Sequence, residues 1–481
     1  MAAQPSTVKV IDQIQVAPPQ GSVSTTIVPL TSFDVLWFHC CHVQRIFFYE
    51  FPHPTLHFTQ TLLPHLKESL SQTLRHFFPF AGNLTCPPPP HVPYILFNEG
   101  DAAVKVVVTE SDADFNHIVV GNHARDVKTL QSLVPKLPSI RPSSSSNTTH
   151  AAPVLAVQFT VFANSGFSVG VTSNHVAGDG RSINHFMKSW ASIHKSQQKG
   201  QDLITSSLSL PYCSKDIMED SDVITSNILK GIRSIGDSGL SGDVPDHDHV
   251  LITLVLKRAE IEKLKHCVKT TQSKHELDQQ IFISSFAVTC AFTWVNLMKL
   301  HEQINGSPDD DDDVVYHLLA PVDCRERVLS EIPATYFGNC LASVVVPVKR
   351  RELMGESGIV FAAKAIGRKT NEAGKLRAMK GFLENAFPNM KEVFNQAVVT
   401  VASSPKFQVY NTDFGWGRPK KFDLVHIGAY NCFSLAESRD DDGGLDIGIV
   451  VERDKAYWSG AGQLVVFFAL NCDPMLQLLN F

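Results

Sequence analysis

Residues 166–182 read GFSVGVTSNHVAGDGRS, and two catalytic patterns overlap in them. Gly166-Phe167-Ser168-Val169-Gly170 spells G-x-S-x-G, the nucleophile elbow of serine hydrolases. His175-Val176-Ala177-Gly178-Asp179 spells H-x-x-x-D. An elbow needs its serine on a sharp turn from strand into helix. Ser168 instead lies in an alternation of Phe167, Val169 and Val171 with Ser168, Gly170 and Thr172, which predicts a strand running past the serine. With "APVLAVQFTVFANS" upstream, the stretch predicts a hairpin turning at Asn164-Ser165-Gly166. His175 then falls where the strand ends. After Gly178 and Gly180 comes an amphipathic helix with Ile183, Phe186, Trp190 and Ile193 on one face. The two glycines argue against a helical His–Asp metal pair, and no further ligand cluster stands nearby. Read from the residues alone, His175 is either a base presented at a strand edge or a half-buried histidine satisfied by a backbone carbonyl.

The chain of 481 residues is too long for one typical core, so two domains are expected. It is 43% hydrophobic and 19% charged, an ordinary globular balance. A formal net charge of -6 gives no basic field for nucleic acid or an anionic membrane. The N-terminal residues lack the basic-then-apolar pattern of a secretory signal, and no apolar run approaches the roughly 20 residues that span a bilayer. Ten scattered cysteines include no C-x-x-C, which points to free thiols in a reducing compartment rather than a zinc site. A cytosolic protein without metal is expected.

Leu62, Leu66, Leu70, Leu74 and Phe77 predict a helix within residues 60–84, stopped by Pro79 and Gly82. "YILFN" and "AAVKVVV" predict strands, and residues 134–150 a Pro- and Ser-rich loop. Residues 196–247 are polar and read as a long crossover, which divides the chain into an N-terminal domain (1–195), the linker (196–247) and a C-terminal domain (248–481). The second half predicts a strand at "VLITLVLKR", helices at "AEIEKLKHCVKT" and within 281–301, and strands at "LASVVVPV", "HIGAYNCFSLAES", "LDIGIVVE" and "GQLVVFFAL". Asp440–Gly444 predicts a hairpin turn. Asp309–Asp313 reads as a solvated acidic loop. The class is mixed α/β.

His175–Asp179 together with "DFGWG" at 413–417 resembles the paired signature of the BAHD acyltransferases, plant enzymes that use acyl-CoA donors. "LKESLSQTLRHFFPFAGNL", "LTSFD" at 30–34 and "APVDCRER" at 320–327 match further family segments, so the resemblance spans nearly the whole chain. "TYFGNC" at 335–340 resembles a motif of the anthocyanin and flavonoid glycoside branch. The resemblance implies two chloramphenicol-acetyltransferase-like domains with the active site in a channel between them, acyl-CoA as co-substrate with no resident cofactor, and a monomer.

It also implies roles. His175 would be the general base for a sugar hydroxyl attacking the thioester, with no acyl-enzyme. Asp179 would shape the loop by pairing with Arg325 or Arg327. Asp413, Phe414, Gly415, Trp416 and Gly417 would be mainly structural, close to the coenzyme's channel. Lys263, Lys265, Ser284, Ser285, Arg418, Lys420 and Lys421 are candidates for holding the coenzyme. Arg181 is a candidate for the carboxylate of a malonyl group, and Thr31, Phe33 and Tyr336 for the acceptor channel. Malonyl transfer to a sugar hydroxyl of a flavonoid glycoside is the leading expectation. A hydroxycinnamoyl donor is the alternative, and a catalytically silent binding protein of the same fold is the second. A phenolic amine, alcohol or quinate-type acceptor is disfavoured by "TYFGNC".

Overall fold

Gly166 and Gly170 stand where neighbouring chain comes too close for a side chain. A Cβ at Gly170 would lie 2.1 Å from the Leu133 carbonyl oxygen, and one at Gly166 would lie 2.3 Å from the Phe115 ring. The glycines of the G-x-S-x-G pattern thus serve sheet packing. Ser168 sits between them, wholly buried in mid-strand, and among the described residues its hydroxyl has no hydrogen-bond partner. No turn exposes it, so the nucleophile-elbow reading fails on geometry.

The computed structural model describes residues 7–40, 42–120, 123–142, 147–200, 209–215, 222–235, 248–272, 283–306, 314–325, 332–373, 398–429 and 431–453. Strands Leu155–Phe162 and Gly166–Ser173 form the expected hairpin, with every residue of both strands buried. They are central in a six-stranded sheet ordered 8–16, 104–111, 155–162, 166–173, 43–50 and 421–424. Helices Leu63–His76 and Gly180–Gln198 pack against each other beside it, burying Leu66, Leu70 and Leu74 from one and Ile183, Phe186 and Trp190 from the other. A second, seven-stranded sheet runs 341–349, 315–323, 398–402, 432–437, 445–452, 249–256 and 125–126. Helices Arg258–Gln272, Ser285–Asn305 and Gly358–Glu372 cover it over a separate apolar core. A small third sheet joins 26–29, 94–97, 83–86 and 150–153.

Each half lends a strand to the other's sheet. Lys421–Leu424 pairs with Val43–Glu50 in the first, and Arg125–Asp126 pairs with His249–Leu256 in the second. Arg125 and Asp423, one on each exchanged strand, form a buried two-armed ion pair, and Arg125 also donates to Thr253 Oγ1 at 2.8 Å. Segments 332–342 and 409–427 of the second half likewise pack into the first core through Phe337, Cys340, Tyr410 and Phe414.

The polar reading of the crossover missed a helix. Asp222–Ile235 buries Ile228, Leu229 and Ile232, spaced three and four apart between polar residues. In "HIGAYNCFSLAES" only Cys432–Glu437 is strand, His426–Ala429 forming a 3₁₀ turn. The acidic run 309–313, Arg327 and the strand expected at 462–470 lie outside the described residues.

Candidate active site

Where Gly166–Ser173 ends, the chain makes one 3₁₀ turn, His175–Ala177, capped by Asn174, whose side-chain oxygen accepts from the Val176 N–H at 3.0 Å. Asp179 then caps helix Gly180–Gln198, its Oδ1 accepting from the Ser182 N–H at 3.0 Å. Strand, turn and cap place the His175 ring at the boundary between the halves.

Two groups fix that ring. Trp37 stacks on it, with centroids 3.8 Å apart and planes within 8°. Asn339, fully buried in the loop from the second half, lies with Oδ1 3.1 Å from His175 Nδ1. The amide's other end faces only acceptors, Asp34 Oδ1 at 3.0 Å and the carbonyls of His175 at 2.9 Å and Val176 at 3.2 Å. It must therefore be the NH₂ end, so Oδ1 accepts and Nδ1 of His175 carries the proton. The Nε2 lone pair is left for substrate. Burial pulls the pKa of His175 down to about 4, against upward pushes from its own backbone hydrogen bond and the Asp179 charge. At neutral pH the imidazole is in its basic form.

Asp34 anchors this amide. Its Oδ1 accepts from both the side chain and the backbone N–H of Asn339, the latter at 2.9 Å. Its Oδ2 accepts from Thr31 Oγ1 at 2.9 Å and Lys215 Nζ at 3.2 Å. Lys215 also reaches the Tyr336 hydroxyl at 3.0 Å and the Phe337 carbonyl at 3.3 Å. The crossover segment 209–215 is thereby pinned to both halves. Asp34 and Lys215 carry no signal of their own in the sequence beyond the "LTSFD" string, whereas Asn339 stood inside "TYFGNC".

Asp179 points away from the imidazole. Its Oδ2 accepts from Arg325 Nη1 at 2.8 Å and from the Cys340 N–H at 3.1 Å, with both charged side chains fully buried. Arg325 spends its remaining donors on Asp323 Oδ1 and the carbonyls of Tyr336 and Gly338. Burial alone would raise the Asp179 pKa, but the Arg325 charge and hydrogen bond outweigh it and hold the carboxyl below its ordinary value. This buried pair clamps the H-x-x-x-D loop to the second half.

Asp413–Gly417 forms a brace on the far side of helix Gly180–Gln198. Asp413 Oδ1 accepts from the N–H groups of Gly415 at 2.8 Å and Gly417 at 2.9 Å, while Oδ2 meets Lys195 Nζ at 2.5 Å. Both glycines have positive φ, 119° and 106°, which a side chain would strain. Phe414 and Trp416 stack at 5.5 Å, and Trp416 also meets Tyr49, Phe167 and His194.

The other candidates do not converge. Lys265 pairs with Glu262 on its own helix, where Lys263 is exposed. Ser284 caps Ser285–Asn305 through the Ala287 N–H at 3.1 Å, leaving Ser285 as the first helical residue. Arg418 donates to the Tyr410 carbonyl at 3.2 Å, and Lys420 meets Glu50 at 2.5 Å. Lys421 is buried 4.0 Å from Asp446. Arg181 pairs with Asp323 at 2.8 Å, both side chains about one third exposed. Thr31 is buried as a helix cap, Phe33 is core, and Tyr336 is buried against Lys215. Among the described residues no cluster of metal-ligating side chains occurs, and no helix is long and apolar enough to cross a membrane.

A family model, the Transferase family, matches residues 6–455. The chain is 36% identical to coumaroyl-CoA:anthocyanidin 3-O-glucoside-6''-O-coumaroyltransferase 2 of Arabidopsis thaliana over 95% of its own length and 96% of the relative's. The chain belongs to the BAHD acyltransferases. This BAHD protein is also 34% identical, over 91% of both chains, to malonyl-coenzyme:anthocyanin 5-O-glucoside-6'''-O-malonyltransferase of Salvia splendens. Its fold matches the crystal structure of vinorine synthase with a TM-score of 0.67 at 19% identity, covering 93% of this chain and 95% of the other. TRI101 of F. sporotrichioides, complexed with coenzyme A and T-2, superposes with a TM-score of 0.64 at 13% identity, over 88% and 95%. The fold is the two-domain chloramphenicol-acetyltransferase-like one, and the protein is an acyl-CoA-dependent acyltransferase.

Proposed function

We propose that this acyltransferase moves an acyl group, malonyl by preference, from coenzyme A to a sugar hydroxyl of a flavonoid or anthocyanin glycoside, with His175 as general base. The observation that carries the mechanism is the Asn339 amide, oriented by Asp34 so that His175 presents a bare Nε2. The sugar oxygen attacks the thioester carbonyl carbon while its proton passes to Nε2. The tetrahedral intermediate collapses with loss of the C–S bond, and the departing sulfur takes the proton back. General base assistance of this kind contributes about 10²–10⁴ in rate. Asp179 has no part in proton transfer; both its oxygens are committed to holding the loop.

The acceptor class rests on the curated relatives, whose names pair anthocyanin or phenolic glucosides with malonyl or coumaroyl donors. A coumaroyl donor is the second reading, favoured by the two Arabidopsis coumaroyltransferases at 36% and 35% identity. A cytosolic monomer completes the proposal. Thiol release from malonyl-, acetyl-, coumaroyl- and caffeoyl-CoA with an anthocyanin or flavonol glucoside tests it, His175→Ala serving as control. Release that survives in His175→Ala would sink the base assignment, and the absence of release with every donor would sink the acceptor class.

A further inference from the structure

Strand Val43–Glu50 carries one cation in an otherwise apolar interior stretch. Arg45 is paired in register with Val171 on one side and Leu424 on the other, so it shares their face of the first sheet at the end where the chain leaves for His175. It is 5% exposed. Among the described residues no hydrogen bond and no ion pair reaches its guanidinium. The next residue back, Gln44, donates its N–H to His426 Nδ1 at 3.1 Å, and the Arg45 charge is felt at both His426 and His175.

Among the described residues none forms an ion pair with this cation, and the Asp179 charge acts on it only from outside ion-pair distance. The nearby carboxylates are all spent elsewhere, Asp179 on Arg325, Asp34 on Lys215 and Asn339, Asp413 on Lys195, and Asp423 on Arg125. A guanidinium taken out of water without a partner is strongly unfavourable. Its planar fork matches a carboxylate in two parallel hydrogen bonds.

Building on the acyl-transfer function proposed above, we propose that Arg45 receives the terminal carboxylate of a dicarboxylic acyl donor, malonyl-CoA, and so selects it over neutral acyl groups. Arg181, engaged with Asp323, is displaced from that role. The site has a second consequence. The charged groups acting on His175 are Arg45 and Asp179, with Asp34 behind Asn339 and His426 near the same cation, and the Arg45 charge opposes its protonation. A bound carboxylate would cancel that charge. The donor would then strengthen the base that the reaction needs.

The test compares malonyl-CoA with acetyl-CoA, by calorimetric binding and by initial rates with a flavonoid glucoside, in wild type, Arg45→Gln and Arg45→Lys. The preference for malonyl over acetyl is expected to fall about 10- to 100-fold in Arg45→Gln, the worth of a charge-assisted pair. Arg45→Lys, which keeps the charge but loses the fork, should fall between. An equal loss for both donors, or a wild type that binds acetyl-CoA as well as malonyl-CoA, overturns the assignment. If wild type binds with the expected preference but acylates no glycoside, the function proposed above fails while the role of Arg45 stands. Should Arg45→Gln fail to fold, greater thermal stabilisation of the wild type by malonyl-CoA than by acetyl-CoA decides the same question.

Discussion

Removing the Asn339 side chain should disarm His175 without touching it. Asn339→Ala keeps the backbone N–H that Asp34 already accepts, but strips the imidazole of its Nδ1 partner and leaves two buried carbonyls one donor short. Leaving buried polar groups unpaired costs about 1–3 kcal/mol. At a few degrees of melting temperature per kcal/mol in a chain of this size, the fold should survive. Catalysis should suffer more. With Nδ1 no longer held as the donor, the ring can place its proton on Nε2, where it blocks the hydroxyl it should deprotonate. A hydrogen bond worth about 1.5–3 kcal/mol translates into a loss of roughly 10- to 100-fold in kcat. KM should change little, because no substrate contact is removed. Asn339→Asp should not rescue it, since one carboxylate oxygen would face Asp34 and two carbonyls across contacts of about 3 Å. The assay is steady-state kinetics beside a thermal melt. A folded Asn339→Ala enzyme with wild-type kcat would refute the tautomer argument.

Three further outcomes follow from the same geometry. Asp179→Ala takes from the fully buried Arg325 its one fully buried counter-charge, leaving only the part-exposed Asp323, and should cost up to about 3–5 kcal/mol in urea unfolding; unchanged stability with full turnover would remove the clamp role. Because His175 has its pKa lowered to about 4 when folded but takes up a proton near 6.5 when unfolded, protons favour the unfolded chain in that window. Its stability contribution is thus held above about pH 6.5 and lost as pH falls toward 4, while the acidic limb of kcat/KM for a neutral donor should lie near pH 4, not 6.5. Ser168→Ala deletes a buried hydroxyl with no partner and should leave turnover intact and stability equal or higher; lost activity would reopen the elbow reading.

Much of the fold was legible because apolar spacing is local. The hairpin at 155–173, the helix at 63–76 and the helix after Asp179 each declare themselves within a dozen residues. The catalytic turn was legible for a different reason, two glycines placed directly after a strand. What was not legible depends on residues hundreds of positions apart. Trp37 and Asn339 meet at His175, and neither type at either position advertises a contact with an imidazole. Surface cations such as Lys265 and Lys420 resembled coenzyme contacts in sequence, yet each finds a carboxylate close by. Arg45 offered a signal that went unread. A single arginine inside "VQRIFFYE" contradicts the apolar pattern around it, and such contradictions gather at functional sites.

The traded strands at 125–126 and 421–424 bear on how this enzyme can come apart. Two bodies joined by one tether separate when the tether is cut. Here each body holds a piece of the other, and the two pieces grip one another through Arg125 and Asp423. A single nick in the chain between 201 and 208 would therefore leave the halves mated, and neither sheet could be completed by expressing one half alone. The same interlock makes the angle between the bodies a property of the fold, set when the chain closed on itself.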